Sequence, residues 1–502
     1  MSNSARFRLV PQLETYPWLV SFGQTAPGKA ALLGAFAGGL FVNRVNYWLE
    51  ISLIAAVMSY LPTWRRLLTS VAALYWLIFH HTWLNGPFLS ALAKAEGLRT
   101  DGWNLKVLFS GILAAVFCAL AVFFHYARTR RSSFAAKRPV LLLVASYAAV
   151  LAAAGLIPLH GMTRLLAWGV VAMTAPYLWY FAYALKDASS KSSDGAILQF
   201  GTLQPFWGGT NVPYPKGAAN LRTIEARNPM DLCITQLKAI KLLIWVVILR
   251  VPSIALQVFV HGEPRQTERF LGILRSIGLT GWNVPNMGVP SLDIALHHAA
   301  VLPVPAAWVS VITHFAEVLI GMTMSGNLII GCCRMAGFYA LRNTYRPLEA
   351  RTVAEFWNRY YYYFKELLVE FFFFPFFTRY FKQYRRFRLF AATMAAATMG
   401  NMLYHFLRDY EYVAQMGFWQ AVKGFQVYAF YTTVLGLGIG ISQLRSQGRE
   451  RSEGDARWWR RACATAGVLL FFCLLEIFDE EGRAFRLGEY LRFFLRLFLI
   501  PV

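Results

Sequence analysis

Apolar runs of about the length of a bilayer crossing recur along this chain, separated by short polar turns and by one long polar insert. A helix needs about 20 mostly apolar residues to cross the hydrocarbon core. By that test, spans are expected near 28–45, 47–62, 66–84, 105–125, 139–157 and 164–185, then near 237–260, 296–313, 315–338, 356–377, 388–407, 418–442 and 461–478. The last apolar piece, 488–501, is too short to cross and is expected to lie flat or to re-enter. The pattern predicts an all-α, polytopic integral membrane protein with about 11–13 transmembrane helices.

Four regions follow from the same pattern: N-terminal membrane helices over 1–186, a polar insert over 187–234, a helical core over 235–460, and C-terminal membrane helices over 461–502. The insert reads SSKSSDG and then PFWGGTNVPYPKGAANLRTIEARNP, and its Pro and Gly residues are expected to break any regular element. Its aromatics Phe206, Trp207 and Tyr214 argue against plain disorder. It reads either as a loop packed on helix ends or as a lid whose Lys216, Arg222 and Arg227 hold a phosphate. Segment 262–292, with Arg265, Arg269 and Arg275 among apolar residues, reads as an amphipathic interfacial helix.

Composition sharpens the class. Of 502 residues, 57% are hydrophobic and only 15% charged, which a soluble domain does not show. The 49 basic against 26 acidic residues give +23, which in a membrane chain reflects the positive-inside bias and attraction to anionic lipid. No nucleic-acid partner is expected from it. The basic connections Arg128–Arg138, Arg379–Arg388 and Arg445–Arg461, with the insert, are expected on the cytoplasmic side. The six cysteines have neither zinc-ligand spacing nor the look of a disulfide framework. The N-terminus lacks a cleavable signal pattern, so the first apolar helix is expected to stay as an anchor.

Between Ile320 and His405, polar residues crowd into and beside apolar segments: Asn327, Arg334, Asn343, Arg346, Arg359, Lys365, Glu370 and His405. Polar groups are costly at membrane depth, so such a cluster marks a functional site by default. Histidine takes and returns a proton near neutrality. His405 is therefore a candidate base, although a lone histidine in an apolar helix is more often a hydrogen-bonded packing residue; Tyr361, Asn358 and Asn401 are candidate hydroxyl or amide donors in the same stretch.

The same stretch resembles the signature region of the membrane-bound O-acyltransferases, in their bacterial form. Gly337-Phe338, Asn343, Arg346-Pro347, Phe356-Trp357, Arg359, Glu370 and Pro375 follow that family's order without a gap, and Leu403-Tyr404-His405 stands where it has Leu-Trp-His. The resemblance covers roughly 320–440. Two positions depart from it: Tyr361 replaces a His or Asn, and Phe406 replaces a small residue. The resemblance implies a helical core that moves an acyl group from a thioester co-substrate to a hydroxyl. The donor would be acyl-CoA or an acyl carrier protein, with no bound cofactor. The acceptor would be an exported glycan or a lipid at a bacterial inner membrane, with accessory export proteins as further partners. His405 would be catalytic with Tyr361 and Asn358, and Trp357, Arg359, Asn401 and Tyr404 would line the substrate. A transporter or flippase of a lipid-linked substrate, and a non-catalytic assembly partner, are the alternatives.

Other polar positions fit blander roles. Adjacent pairs His80-His81 and His297-His298 diverge by roughly 100° on a helix. Asp293 with His297, and His314 with Glu317, share a face but match no recognised metal spacing. No metal is expected. Gly436, Gly438 and Gly440, inside an apolar helix, are expected to be close helix-packing positions rather than a nucleotide loop.

Overall fold

The computed structural model describes residues 9–80, 86–99, 102–190, 194–209, 212–446, 458–479 and 486–501. His81, the serines at 192–193 and most of the basic run 445–461 lie outside the described residues. Every regular element among the described residues is helical, and the one extended pairing is an isolated bridge, Glu225 with Phe338. The protein is an all-helical polytopic membrane protein.

Among the described residues, seven helices are long and apolar enough to cross a membrane: Leu105–Thr129, Pro139–Leu156, Gly161–Ala188, Pro229–Val260, Val304–Met335, Gln426–Ser446 and Trp458–Phe478. The pair Pro17–Gln24 and Ala26–Val42, bent by 101°, makes an eighth if counted as one span. That is fewer than the sequence pattern suggests, for three physical reasons. Trp48–Tyr60 and Arg65–Phe79, with 13 and 15 residues, are too short at about 1.5 Å per residue for a core of about 30 Å. The runs expected at 296–313 and 315–338 give one long crossing helix, Val304–Met335. The run expected at 356–377 is broken at Tyr361, and that at 388–407 is helical but diluted by Thr393, Thr398, Asn401 and His405.

The chain divides into two compact units. The first comprises 1–241, 329–341 and 403–423, and the second 242–328, 342–402 and 424–502.

In the first unit the polar insert is more ordered than its Pro and Gly content suggests. It forms helices Ala196–Leu203 and Ala218–Ile224. The first lies so close to Arg65–Phe79 that a Cβ on Gly201 would stand 2.8 Å from Ser70 Oγ, and that hydroxyl donates to the Ile197 carbonyl at 2.7 Å. Phe206, Trp207 and Tyr214 are buried, and the Trp207 indole donates to the Tyr214 carbonyl at 2.6 Å. Of the three cations offered for a phosphate, Arg222 instead faces Asp194 at 3.6 Å, which also holds Arg66 at 3.1 Å. Arg227 is exposed. The described parts of the insert are thus packed into their unit.

In the second unit, Gln426–Ser446 packs through its glycines. A Cβ on Gly436 would stand 2.2 Å from Thr398 Oγ1, one on Gly440 2.7 Å from Phe390, and one on Gly438 2.8 Å from Phe471. Side chains there would force the helices apart, so these are packing positions, as expected. Segment 262–292 is only partly helical: Pro264–Ser276 is a helix with no buried residue, and an irregular chain follows before Leu292–His297.

Candidate functional site

The motif residues fall into both units, and their local geometry explains much of the pattern. Gly337 and Phe338 belong to the first. Helix Val304–Met335 ends just before them, and Gly337 takes φ +94, a left-handed conformation that glycine adopts freely. A Cβ there would also meet Arg65 Nε at 2.7 Å. The Gly337 carbonyl accepts from Ala226 N at 2.9 Å, and Tyr339 N donates to the Ile224 carbonyl at 2.7 Å. Phe338 is fully buried with its ring 5.8 Å from Trp207. This pair ties the end of a membrane helix to the insert.

Asn343, Arg346 and Arg359 belong to the second unit and serve the break at Tyr361. Helix Val353–Tyr360 stops there and Tyr362–Leu368 starts again, so carbonyls before the break and amides after it lose their helical partners. Residues 343–345 supply replacements. The Arg359 carbonyl accepts from Tyr345 N at 2.8 Å, and that of Tyr360 from the Thr344 hydroxyl at 2.7 Å. The Asn343 carbonyl accepts from Tyr362 N at 2.9 Å, and its Oδ1 from Tyr363 N at 3.3 Å. Broken helices survive in membrane proteins only when such groups are satisfied again. Arg359 also donates to the Arg346 carbonyl at 3.1 Å and to Glu355 at 2.5 Å. Its charge braces the break.

Tyr361 itself is half-buried, with its ring 5.4 Å from Phe364. Trp357 is buried beside the same Phe364, at 6.2 Å. Asn358 lies on the exposed face of its helix.

A second polar group, also in the second unit, centres on Asn401. This residue follows a π-helical turn, Ala395–Gly400, which packs on another, Val369–Phe373, with no room for a Cβ between Gly400 and Phe372. Such turns are frequent at functional sites. Asn401 is 1% exposed; its Oδ1 accepts from the Tyr428 hydroxyl at 3.1 Å, while its Nδ2 is buried with no partner among the described residues. The Tyr428 ring is 5.3 Å from Tyr431. Asn401, Tyr428 and Tyr431 thus form a polar row among apolar helices. Sequence reasoning missed Tyr428 and Tyr431. Their signal is a polar stripe at helical spacing inside otherwise apolar spans.

Tyr404 and His405 belong to the first unit. Tyr404 is buried and stacks on Trp179 at 5.8 Å, and His405 is half-buried with its ring 5.1 Å from Tyr404. The Leu407 carbonyl accepts from the Tyr147 hydroxyl at 3.0 Å, which fixes this stretch of helix against Pro139–Leu156. Phe406, the bulky departure from the motif, packs against Phe418 at 5.9 Å.

His297 Nδ1 donates to the Asp293 carbonyl at 2.9 Å, and both residues are exposed. Among the described residues no cluster of three or more metal-ligating side chains occurs. No protein-family model matches the chain, and no curated protein matches it.

Proposed function

We propose that this protein is a membrane-bound O-acyltransferase, with His405 as base and a thioester as acyl donor. The observation that carries this reading is the ungapped motif series from Gly337 to Pro375, followed by Tyr404-His405. The structure gives several of its positions a local reason: Gly337 for its φ, Asn343 for the broken helix and Arg359 for the brace.

In the proposed reaction, the His405 imidazole takes the proton of an acceptor hydroxyl as its oxygen attacks the thioester carbonyl carbon. The carbonyl oxygen becomes an oxyanion, for which the amide hydrogens of Asn401, without a partner among the described residues, are the first candidate donors and the Tyr361 hydroxyl the second. The carbon–sulfur bond breaks, and the imidazolium returns the proton to the thiolate. The products are an ester and a free thiol. Acyl-CoA or an acyl carrier protein is the proposed donor, and an exported glycan or a lipid the proposed acceptor.

The test is thioester consumption by purified protein in nanodiscs, wild type against His405→Ala, over acetyl- to palmitoyl-CoA. Wild-type turnover reduced about 10²–10⁴-fold in the variant is expected for loss of a general base. A folded His405→Ala protein with an unchanged rate would falsify the assignment.

A further inference from the structure

In the second unit, the helix Pro229–Val260 ends in a π-turn, Leu256–Val260, directly before His261. The carbonyls of Phe259 and Val260 turn outward and accept from Met287 N at 2.9 Å and Val289 N at 3.1 Å. His261 Nδ1 lies 2.8 Å from the Val289 carbonyl. A carbonyl only accepts, so Nδ1 carries the hydrogen; with the ring neutral, Nε2 is then a bare acceptor. Gly262, at φ +65, turns the chain away where a Cβ would strike the Asn286 side chain at 2.7 Å. The ring is therefore held from its backbone and from Nδ1.

What Nε2 faces is another acceptor. It is buried, has no hydrogen-bond partner among the described residues, and stands 3.9 Å from Glu317 Oε2, beyond hydrogen-bond reach. Glu317 lies in the middle of Val304–Met335, with His314 one turn earlier on the same face. The irregular chain between helices offers this region backbone carbonyls, Val289 to His261 and Pro290 to the Ser310 hydroxyl at 2.8 Å, together with the Asn286 amide. Helix Pro264–Ser276, preceded by Glu263, carries Arg265, Glu268, Arg269 and Arg275, of which Glu268 and Arg275 lie 3.9 Å apart on its exposed side. Two acceptors that face one another beside apolar helices lack the hydrogen that would make them a pair. An ionisable side chain within a membrane helix marks a proton or ion path by default.

We propose that His261 and Glu317 form a proton-binding site, which takes up one proton from bulk water between Nε2 and the carboxylate. The new N–H bond makes the ring a donor at both ends, to Val289 and to Glu317, and rotation of the Glu317 side chain closes the gap. Release reverses the step, and no other reactant is needed. The site shares no residue with the acyl-transfer motif and does not rest on that reading.

The experiment is ¹⁵N-histidine magnetic resonance on the full chain in nanodiscs across pH, with the His261 signal identified by its loss in His261→Gln. At alkaline pH the ring is expected with Nδ1 protonated and Nε2 bare, and acidification is expected to protonate Nε2. The infrared carboxylate band lost in Glu317→Gln should shift over the same pH range. Glu317→Gln, checked for folding by gel filtration, should lower the His261 midpoint, as removal of a nearby opposite charge does. His314→Gln should move it less. A His261 ring that does not titrate in the wild type overturns the proposal without any variant. A midpoint unmoved by Glu317→Gln, or moved more by His314→Gln, overturns the pairing.

Discussion

Tyr428 donates its hydroxyl to Oδ1 of Asn401 at 3.1 Å, and the other end of that buried amide, Nδ2, is left with hydrogens and no partner among the described residues. The tyrosine fixes which way the amide points. In the proposed reaction, an amide oriented in this way would be the donor to the oxyanion. Asn401→Ala is expected to lower thioester turnover about 10²–10³-fold with little change in KM. Tyr428→Phe frees the amide to rotate and should cost about 1 kcal/mol, roughly fivefold in rate. Steady-state kinetics in nanodiscs measure both, and an Asn401→Ala enzyme with wild-type kcat rules out the donor role.

Asn343 is expected to matter for stability before it matters for chemistry. Its Oδ1 and carbonyl hold the Tyr363 and Tyr362 amides at the helix break. Asn343→Ala leaves a buried amide unmet and should destabilise the protein by about 1–3 kcal/mol. Asn343→Asp keeps an acceptor in place and should recover part of that loss. Thermal melting in detergent distinguishes them; equal midpoints for the two variants argue against the proposed bond.

The helix-packing glycines give a contrast within one experiment. Gly436→Ala places a methyl 2.2 Å from Thr398 Oγ1 and should cost about 1–3 kcal/mol through overpacking. Gly467, in helix Trp458–Leu475, has nothing within 4 Å of its Cβ position. Gly467→Ala should be neutral or stabilising, because alanine favours helix by up to about 1 kcal/mol over glycine. A Gly436→Ala protein as stable as Gly467→Ala contradicts the packing.

Acid should loosen the first unit through Glu96. The Gly161 amide, 2.6 Å away, and then Arg164, 2.5 Å away, hold its carboxyl below the ordinary value of 4.5. A depressed carboxyl contributes stability that is full above the unfolded pKa and fades as pH falls through the folded one. The thermal midpoint should therefore drop as pH falls below 4.5, and Glu96→Gln should flatten that drop while lowering stability near neutrality. An acid limb that is identical in Glu96→Gln and wild type removes Glu96 as its cause.

Much of this fold was legible in the chain because lipid imposes one crude demand. A crossing segment must be long, apolar and helical, and runs such as 105–125, 139–157 and 461–478 declare it residue by residue. The glycines of 436–440 were legible for a related reason, since a glycine triplet in an apolar helix has few uses besides close approach. The sequence also marked Asn343, Arg359 and Tyr361 as a cluster.

What those residues do there was decided by tertiary structure. Hydropathy averages over a window and cannot see a helix that breaks at one residue, as at Tyr361, when residues 343–345 arrive from elsewhere to bond the freed groups. Nor can it see that Arg222 meets Asp194, or that the insert holds helices, since those depend on partners distant along the chain. The polar row at Asn401 and the His261–Glu317 gap have the same origin. Periodicity follows from the chain's own geometry and from its solvent. Hydrogen bonds and charge pairs between distant residues exist only once packing has put both partners in place.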